Sequence, residues 1–133
     1  MNKQYLAVAS VLLLALFASS ASFAAEDTKG KLLYHVVCFK YKPDASREQI
    51  AQIEKGIKGL KDKIPGIKSV AAGTNNSPEN LAKGFSHGFI VAFESEKARD
   101  EYLPHPEHKA VIEIIKQAVA DVFVIDFWGE GPK

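Results

Sequence analysis

From Lys31 to Tyr41 the chain runs through β-branched and aromatic residues almost without interruption, the pattern of a buried strand. Pro43-Asp44 turns it out. Ser46 stands three residues before Gln49, the spacing of a capping box. Ile50, Ile53, Ile57, Leu60 and Ile64 then recur at intervals of three and four, on one face of a helix that Pro65-Gly66 ends. Ile67 to Gly73 predicts a shorter strand. Thr74 to Gly84, with its Asn, Ser, Pro and Gly, predicts a loop. Phe85 to Glu94 alternates: Phe85, His87, Phe89, Val91 and Phe93 face one way, and Ser86, Gly88, Ile90 and Ala92 the other. Ser95 caps a short helix carrying Ala98 and Tyr102 that ends at Pro104. Pro106 opens another with Val111, Ile114, Ile115, Ala118 and Val119 apolar, and Asp121 to Trp128 is the last strand.

The order is β-α-β-β-α-β with a broken second helix, the ferredoxin-like α+β pattern with a four-stranded, antiparallel-containing sheet. Its first and third strands are expected to be adjacent, central and parallel. All helices then lie on one face of the sheet, and the other face needs a cover. Both parities of the first and last strands are largely apolar: Leu33, Val37 and Phe39 against Leu32, Val36 and Cys38, and Val122 and Val124 against Phe123, Ile125 and Phe127. One domain has no second layer left for that face. A second copy packed sheet on sheet, as a homodimer of two-fold symmetry, supplies it.

The first residues stand apart from this pattern. Lys3 precedes an apolar run from Leu6 to Phe17, and Ser22-Phe23-Ala24 offers small residues where a signal peptidase reads. Residues 1–24 read as a secretory signal cleaved after Ala24, too short in its apolar part for a membrane span of roughly 20 residues. The expected location is therefore exported, periplasmic or secreted, with no membrane attachment after cleavage. Residues 25–30 are polar and expected to be a disordered linker, 31–128 form the single domain, and 129–133 a polar tail. Sixteen basic residues remain against sixteen acidic ones once Lys3 is removed from a chain with 17 and 16. That neutral balance gives no electrostatic reason to expect nucleic acid or an anionic surface as a partner. The single cysteine, Cys38, excludes an internal disulfide despite the exported context and reads as a small buried hydrophobe.

The chemistry concentrates in Tyr102-Leu103-Pro104-His105-Pro106-Glu107-His108. A helix end, a proline break and a new helix start can aim Tyr102 and His108 into one cavity. His108 falls in the first turn of its helix, where the positive end of the dipole disfavours an imidazolium, so a neutral general base is one reading. A partly exposed helix-start histidine is the other. Tyr102 either orients and protonates an enolate oxygen or is an amphipathic core tyrosine. His35 and His87 each read as the start of a central strand. Side by side on parallel strands they are either pocket-lining acceptors or a satisfied polar patch. Phe89 and Ile57 supply the apolar wall of such a pocket. His105 and His108 lack an acidic or cysteine cluster at ligand spacing, so no metal site is expected, and no cofactor.

Several of these stretches together resemble the stress-responsive α/β-barrel (Dabb) domain family. They are His35-Val36-Val37-Cys38-Phe39-Lys40-Tyr41-Lys42-Pro43, Ile64-Pro65-Gly66-Ile67 leading through Gly73 to Asn76-Ser77-Pro78, Gly84 to Glu94 with His87, His105-Pro106-Glu107-His108, and Val124-Ile125-Asp126-Phe127. The resemblance implies a dimeric ferredoxin-like α/β barrel. One plant member, a polyketide cyclase, performs a cofactor-free aldol cyclisation, and its catalytic tyrosine and histidine resemble Tyr102 and His108, with two further pocket histidines resembling His35 and His87. The chain departs from that member in its export signal and in Gly56 and Gly59, where larger side chains could line a pocket. The resulting expectation is an exported dimer that binds a small hydrophobic or aromatic molecule, with Tyr102 and His108 as the pair for any cofactor-free cyclase- or lyase-like chemistry. The alternative is a non-catalytic stress-responsive or structural protein with a vestigial pocket. A cofactor-free monooxygenase shares the fold class, but no residue here singles it out.

Overall fold

A computed structural model describes residues 28–132 of the chain; the leader read in residues 1–24 lies outside the described residues. The elements follow in the order β1 (Lys31–Tyr41), α1 (Arg47–Gly59), a 3-10 turn (Leu60–Asp62), β2 (Ile67–Thr74), β3 (His87–Phe93), α2 (Glu96–Tyr102), α3 (Pro106–Ala118) and β4 (Val119–Glu130). Ser46 and Gln49 form the reciprocal capping box at the start of α1. Pro106 occupies the first turn of α3, and His105 caps it by accepting the Glu107 N–H at 3.2 Å through Nδ1. That engagement gives His105 a structural task.

The sheet order is β2-β3-β1-β4 and every neighbouring pair is antiparallel. The expectation that the first and third strands run parallel is therefore wrong. The reason lies in the connections. The α1 crossover returns the chain so that β2 runs as β1 does, and the loop after β2 brings β3 back between them in the opposite sense. His35 also lies in the middle of β1, not at its start, whereas His87 does begin β3.

Leu33 and Phe39 of β1 and Phe89, Val91 and Phe93 of β3 pack against Ile53 and Ile57 of α1, Leu60 and Ile64 beyond it, Ala98 and Tyr102 of α2, and Val111 and Ala118 of α3. Alternation along β1 sends His35 to this helix-covered side and Val36 and Cys38 to the other. Gly56 is not a missing pocket wall. A Cβ there would sit 3.3 Å from Val111 Cγ2, so the glycine lets α1 approach α3. Phe85 precedes β3 and departs from its face, meeting Phe123 at a ring separation of 6.4 Å. Within the stretches read as linker and tail, Gly131 N–H donates to Gly30 O at 3.3 Å, and β4 continues to Glu130.

On the far side of the sheet the described residues place no layer. Ile90, Phe123, Ile125 and Phe127 remain between 39% and 49% exposed there. Cys38 is half-buried and lies in the same groove, with Val36, Ile90 and Phe123.

Candidate functional site

Between the sheet and α3 lies a cavity of about 430 Å³. Its walls are apolar: Val37 and Phe39 from β1, Ile57 from α1, Phe89 and Val91 from β3, Val111, Ile112 and Ile115 from α3, and Val122 and Val124 from β4. Four polar side chains also line it, His35, Tyr102, His108 and Lys116. Five of the six residues singled out from sequence thus meet around one space: Tyr102, His108, His35, Phe89 and Ile57. His87 does not join them. In the antiparallel register His35 stands opposite Val91 and His87 opposite Phe39. That separates the two histidines by four strand positions, roughly 13 Å. The ring of His87 instead packs edge-on to Tyr41 at 4.9 Å, with Nδ1 2.9 Å from Ser86 Oγ and Nε2 3.8 Å from Glu54 Oε1.

The proline break does what the sequence suggests. Tyr102 ends α2 and His108 lies in the first turn of α3, and their rings stack with centroids 4.1 Å apart and planes tilted by 30°. His108 Nδ1–H donates to the Leu103 carbonyl at 3.0 Å. A carbonyl only accepts, so this bond puts the ring proton on Nδ1 and leaves the Nε2 lone pair free. Burial is the main cause of a His108 pKa below the ordinary histidine value. The Leu103 carbonyl opposes it, and the nearby His35 and His105 add to it. Tyr102 is buried, and that burial drives its phenol pKa well above the ordinary value. It stays a protonated donor across the physiological range. Among the described residues nothing hydrogen-bonds its hydroxyl, yet that hydroxyl is not sealed from the cavity.

Two further residues complete the site, and neither was singled out from the sequence. Asp126 of β4 stands opposite His35 in the β1–β4 register and accepts from its Nδ1 at 2.7 Å. Arg99 of α2 binds the other carboxylate oxygen through Nη1. A signal was present for Asp126. It shares the parity of Val122, Val124 and Trp128, and a carboxylate on the inward side of a strand needs a partner.

The match to known proteins is consistent with this architecture. The family model of the Stress responsive A/B Barrel Domain, Dabb, covers residues 33–129. The chain belongs to the Dabb family. This Dabb chain is 35% identical over 102 residues to the stress-response A/B barrel domain-containing protein HS1 of Arabidopsis thaliana, covering 77% of the chain and 93% of that protein. It is 25% identical over 93 residues to olivetolic acid cyclase of Cannabis sativa, covering 70% of the chain and 92% of the cyclase. Among solved structures, hydroxynitrile lyase from Passiflora edulis superposes with a TM-score of 0.70 at 24% identity, over 78% of this chain and 98% of the lyase. A dimeric ferredoxin-like protein from Jannaschia sp. superposes with a TM-score of 0.66 at 23% identity, over 72% and 97%. At these identities the two solved structures speak for the fold alone.

Proposed function

We propose that this Dabb protein binds a small hydrophobic or aromatic carbonyl compound in the cavity and acts on it by cofactor-free acid/base chemistry of the cyclase or lyase kind. The observation that carries the reading is the stacked Tyr102–His108 pair at the polar end of an apolar cavity, with the proton of His108 committed to Leu103. For bond formation, His108 Nε2 removes a proton from the carbon next to the carbonyl while the Tyr102 hydroxyl donates to the oxygen as it gains charge. The enolate carbon then attacks a second carbonyl of the ligand, whose oxygen takes the proton back from the imidazolium. For bond cleavage, His108 Nε2 instead removes the proton of a β-hydroxyl, the carbonyl re-forms as the carbon–carbon bond breaks, and the departing enolate, held by Tyr102, takes that proton from the imidazolium. The apolar walls exclude water and hold the body of the ligand while the polar side chains set its orientation. The relationship to a cyclase, and the fold shared with a lyase, support the reading.

A thermal-shift screen of phenols, quinones and β-polyketone analogues on the wild type, Tyr102→Phe and His108→Ala tests it. We expect Tyr102→Phe to weaken a hydrogen-bonding ligand by about 0.5–1.5 kcal/mol. His108→Ala should lower turnover by roughly 10²–10⁴. No stabilisation of the wild type, or equal stabilisation of all three proteins, sinks the site. The non-catalytic stress-responsive alternative would then stand.

Two further parts of the reading concern the whole chain. We propose that the bare sheet face is covered by a second copy in a homodimer, an assembly that the name of the Jannaschia neighbour supports for this fold. We also propose export, with the mature chain beginning at Ala25, on the basal signal pattern of Lys3, Leu6 to Phe17 and Ser22-Phe23-Ala24. Intact-mass measurement on protein from the native host checks the second, and a full-length species contradicts it.

A further inference from the structure

Arg99 lies three residues before Tyr102 on α2, so both side chains leave the same side of the helix. Its Nε donates to Asp100 Oδ1 at 2.7 Å and its Nη1 to Asp126 Oδ2. The other oxygen of Asp126 accepts from His35 Nδ1 at 2.7 Å. Helix α2, strand β4 and strand β1 thus each supply one member of a line that ends in the cavity. The Arg99 and Asp126 side chains are only 22% and 23% exposed, and that of His35 10%.

The direction of the line follows from what each group can do. A carboxylate held by a guanidinium accepts and does not donate, so the His35 nitrogen facing it must carry the hydrogen. The other ring nitrogen, Nε2, has no protein partner among the described residues and is not sealed from the cavity that His35 lines. The ring stands 6.1 Å from that of Tyr102, centroid to centroid.

We propose that Arg99 and Asp126 are positioning residues that fix His35 in the Nδ1–H tautomer, so that the polar end of the cavity presents two imidazole acceptors and selects ligands bearing a hydroxyl or enol hydrogen over carboxylates. The Nε2 atoms of His35 and His108 are those acceptors. No Lys or Arg stands beside them on the cavity wall except Lys116, which is held by Glu113 at 2.6 Å. A phenol or enol gives its hydrogen to one nitrogen, whereas a carboxylate brings lone pairs against lone pairs. The ligand preference rests on the binding function proposed above; the tautomer does not.

The test uses the ¹⁵N-labelled full mature chain and long-range ¹H–¹⁵N correlation of the histidine rings at about pH 8, above the usual range of imidazole titration. Wild-type His35 should show a protonated Nδ1 and a bare Nε2. Asp126→Asn keeps the shape but splits the two oxygens into one acceptor and one donor. Arg99 claims the amide oxygen, the amide nitrogen donates to His35 Nδ1, and the tautomer inverts to Nε2–H. Adding Arg99→Met frees the amide oxygen to turn to His35, and Nδ1–H returns. Arg99→Lys in the Asp126→Asn background retains a donor and should keep the inverted form. A His35 tautomer that is the same in all four proteins overturns the positioning role.

The ligand arm compares 4-propylphenol with 4-propylbenzoate by calorimetry. Wild type should favour the phenol, and Asp126→Asn should reduce that preference by roughly threefold to tenfold, the size of one hydrogen bond. Benzoate bound as well as the phenol overturns the selection. Inversion of the tautomer with neither compound bound upholds the positioning role and overturns the proposed binding function instead.

Discussion

At the scale of single residues, His108 ties chemistry to stability. Its folded pKa lies below the ordinary histidine value, chiefly through burial. Unfolding returns it to about 6.5, so just below that pH the unfolded chain binds more protons than the folded one. The stability contributed by a neutral His108 is therefore complete at higher pH and is lost as pH falls through the unfolded value toward the folded one. We expect the wild type to lose more stability than His108→Gln between about pH 7 and pH 5, read as the shift in thermal midpoint. Equal losses in both proteins would show that His108 is not held neutral by the fold. Tyr41 carries the same lesson in a phenol: burial first, and then the charge of Glu54, push its pKa up to about 12. The hydroxyls of both cavity-side and core tyrosines therefore stay protonated, but only that of Tyr102 belongs to a residue lining the cavity.

Among the elements, the turn between α1 and β2 controls how α2 sits. Gly66 has φ +85°, and a Cβ on it would lie 2.5 Å from the Cβ of Ala98 in α2. The backbone there both adopts a left-handed conformation and touches the helix that carries Arg99 and Tyr102. Gly66→Ala should cost about 2–4 kcal/mol through strain and overpacking together. Urea denaturation measures it, and a cost within experimental error would mean that α2 can move aside without loss. The capping box of α1 makes a smaller and more local contribution: Ser46→Ala removes the acceptor of Gln49 N–H at 3.2 Å and should cost about 1 kcal/mol. Lys42 closes the other end of the helical layer, donating to the carbonyls of Lys116 and Gln117 at 3.1 and 3.0 Å near the end of α3, where a cation also suits the helix dipole.

For the whole molecule, the question is what lies on the uncovered sheet face. Ile125 is 45% exposed in the single chain and shares that face with Val36, its partner across the β1–β4 pair. Because it is already exposed, Ile125→Asp should leave the fold of one chain intact while placing a charge in a dimer interface, where an unpaired charge is strongly unfavourable. We expect sedimentation or light scattering to show a dimer for the wild type and a folded monomer for the variant at micromolar concentration. A monomeric wild type would contradict the homodimer, and a dimeric variant would place the interface elsewhere.

The sequence by itself determined the elements and their faces. The capping box at Ser46, the isoleucine spacing of α1, the alternation of β3 and the Pro106 helix start are local signals, set by backbone geometry within a few residues, and they sufficed for the ferredoxin-like order. They also sufficed to bring Tyr102 and His108 together, because only six positions and two prolines separate them. Strand direction and register belong to the tertiary structure alone, since they depend on how crossovers return the chain. A reading that made β1 and β3 parallel therefore paired His35 with His87, whereas the antiparallel register gives His35 to Asp126, 91 residues away in sequence. Arg99 reads on its own as one more charge on a short helix. Its place on Asp126 exists only because the fold brings α2 beside β4, 27 residues on in sequence, a long-range contact that no local pattern encodes.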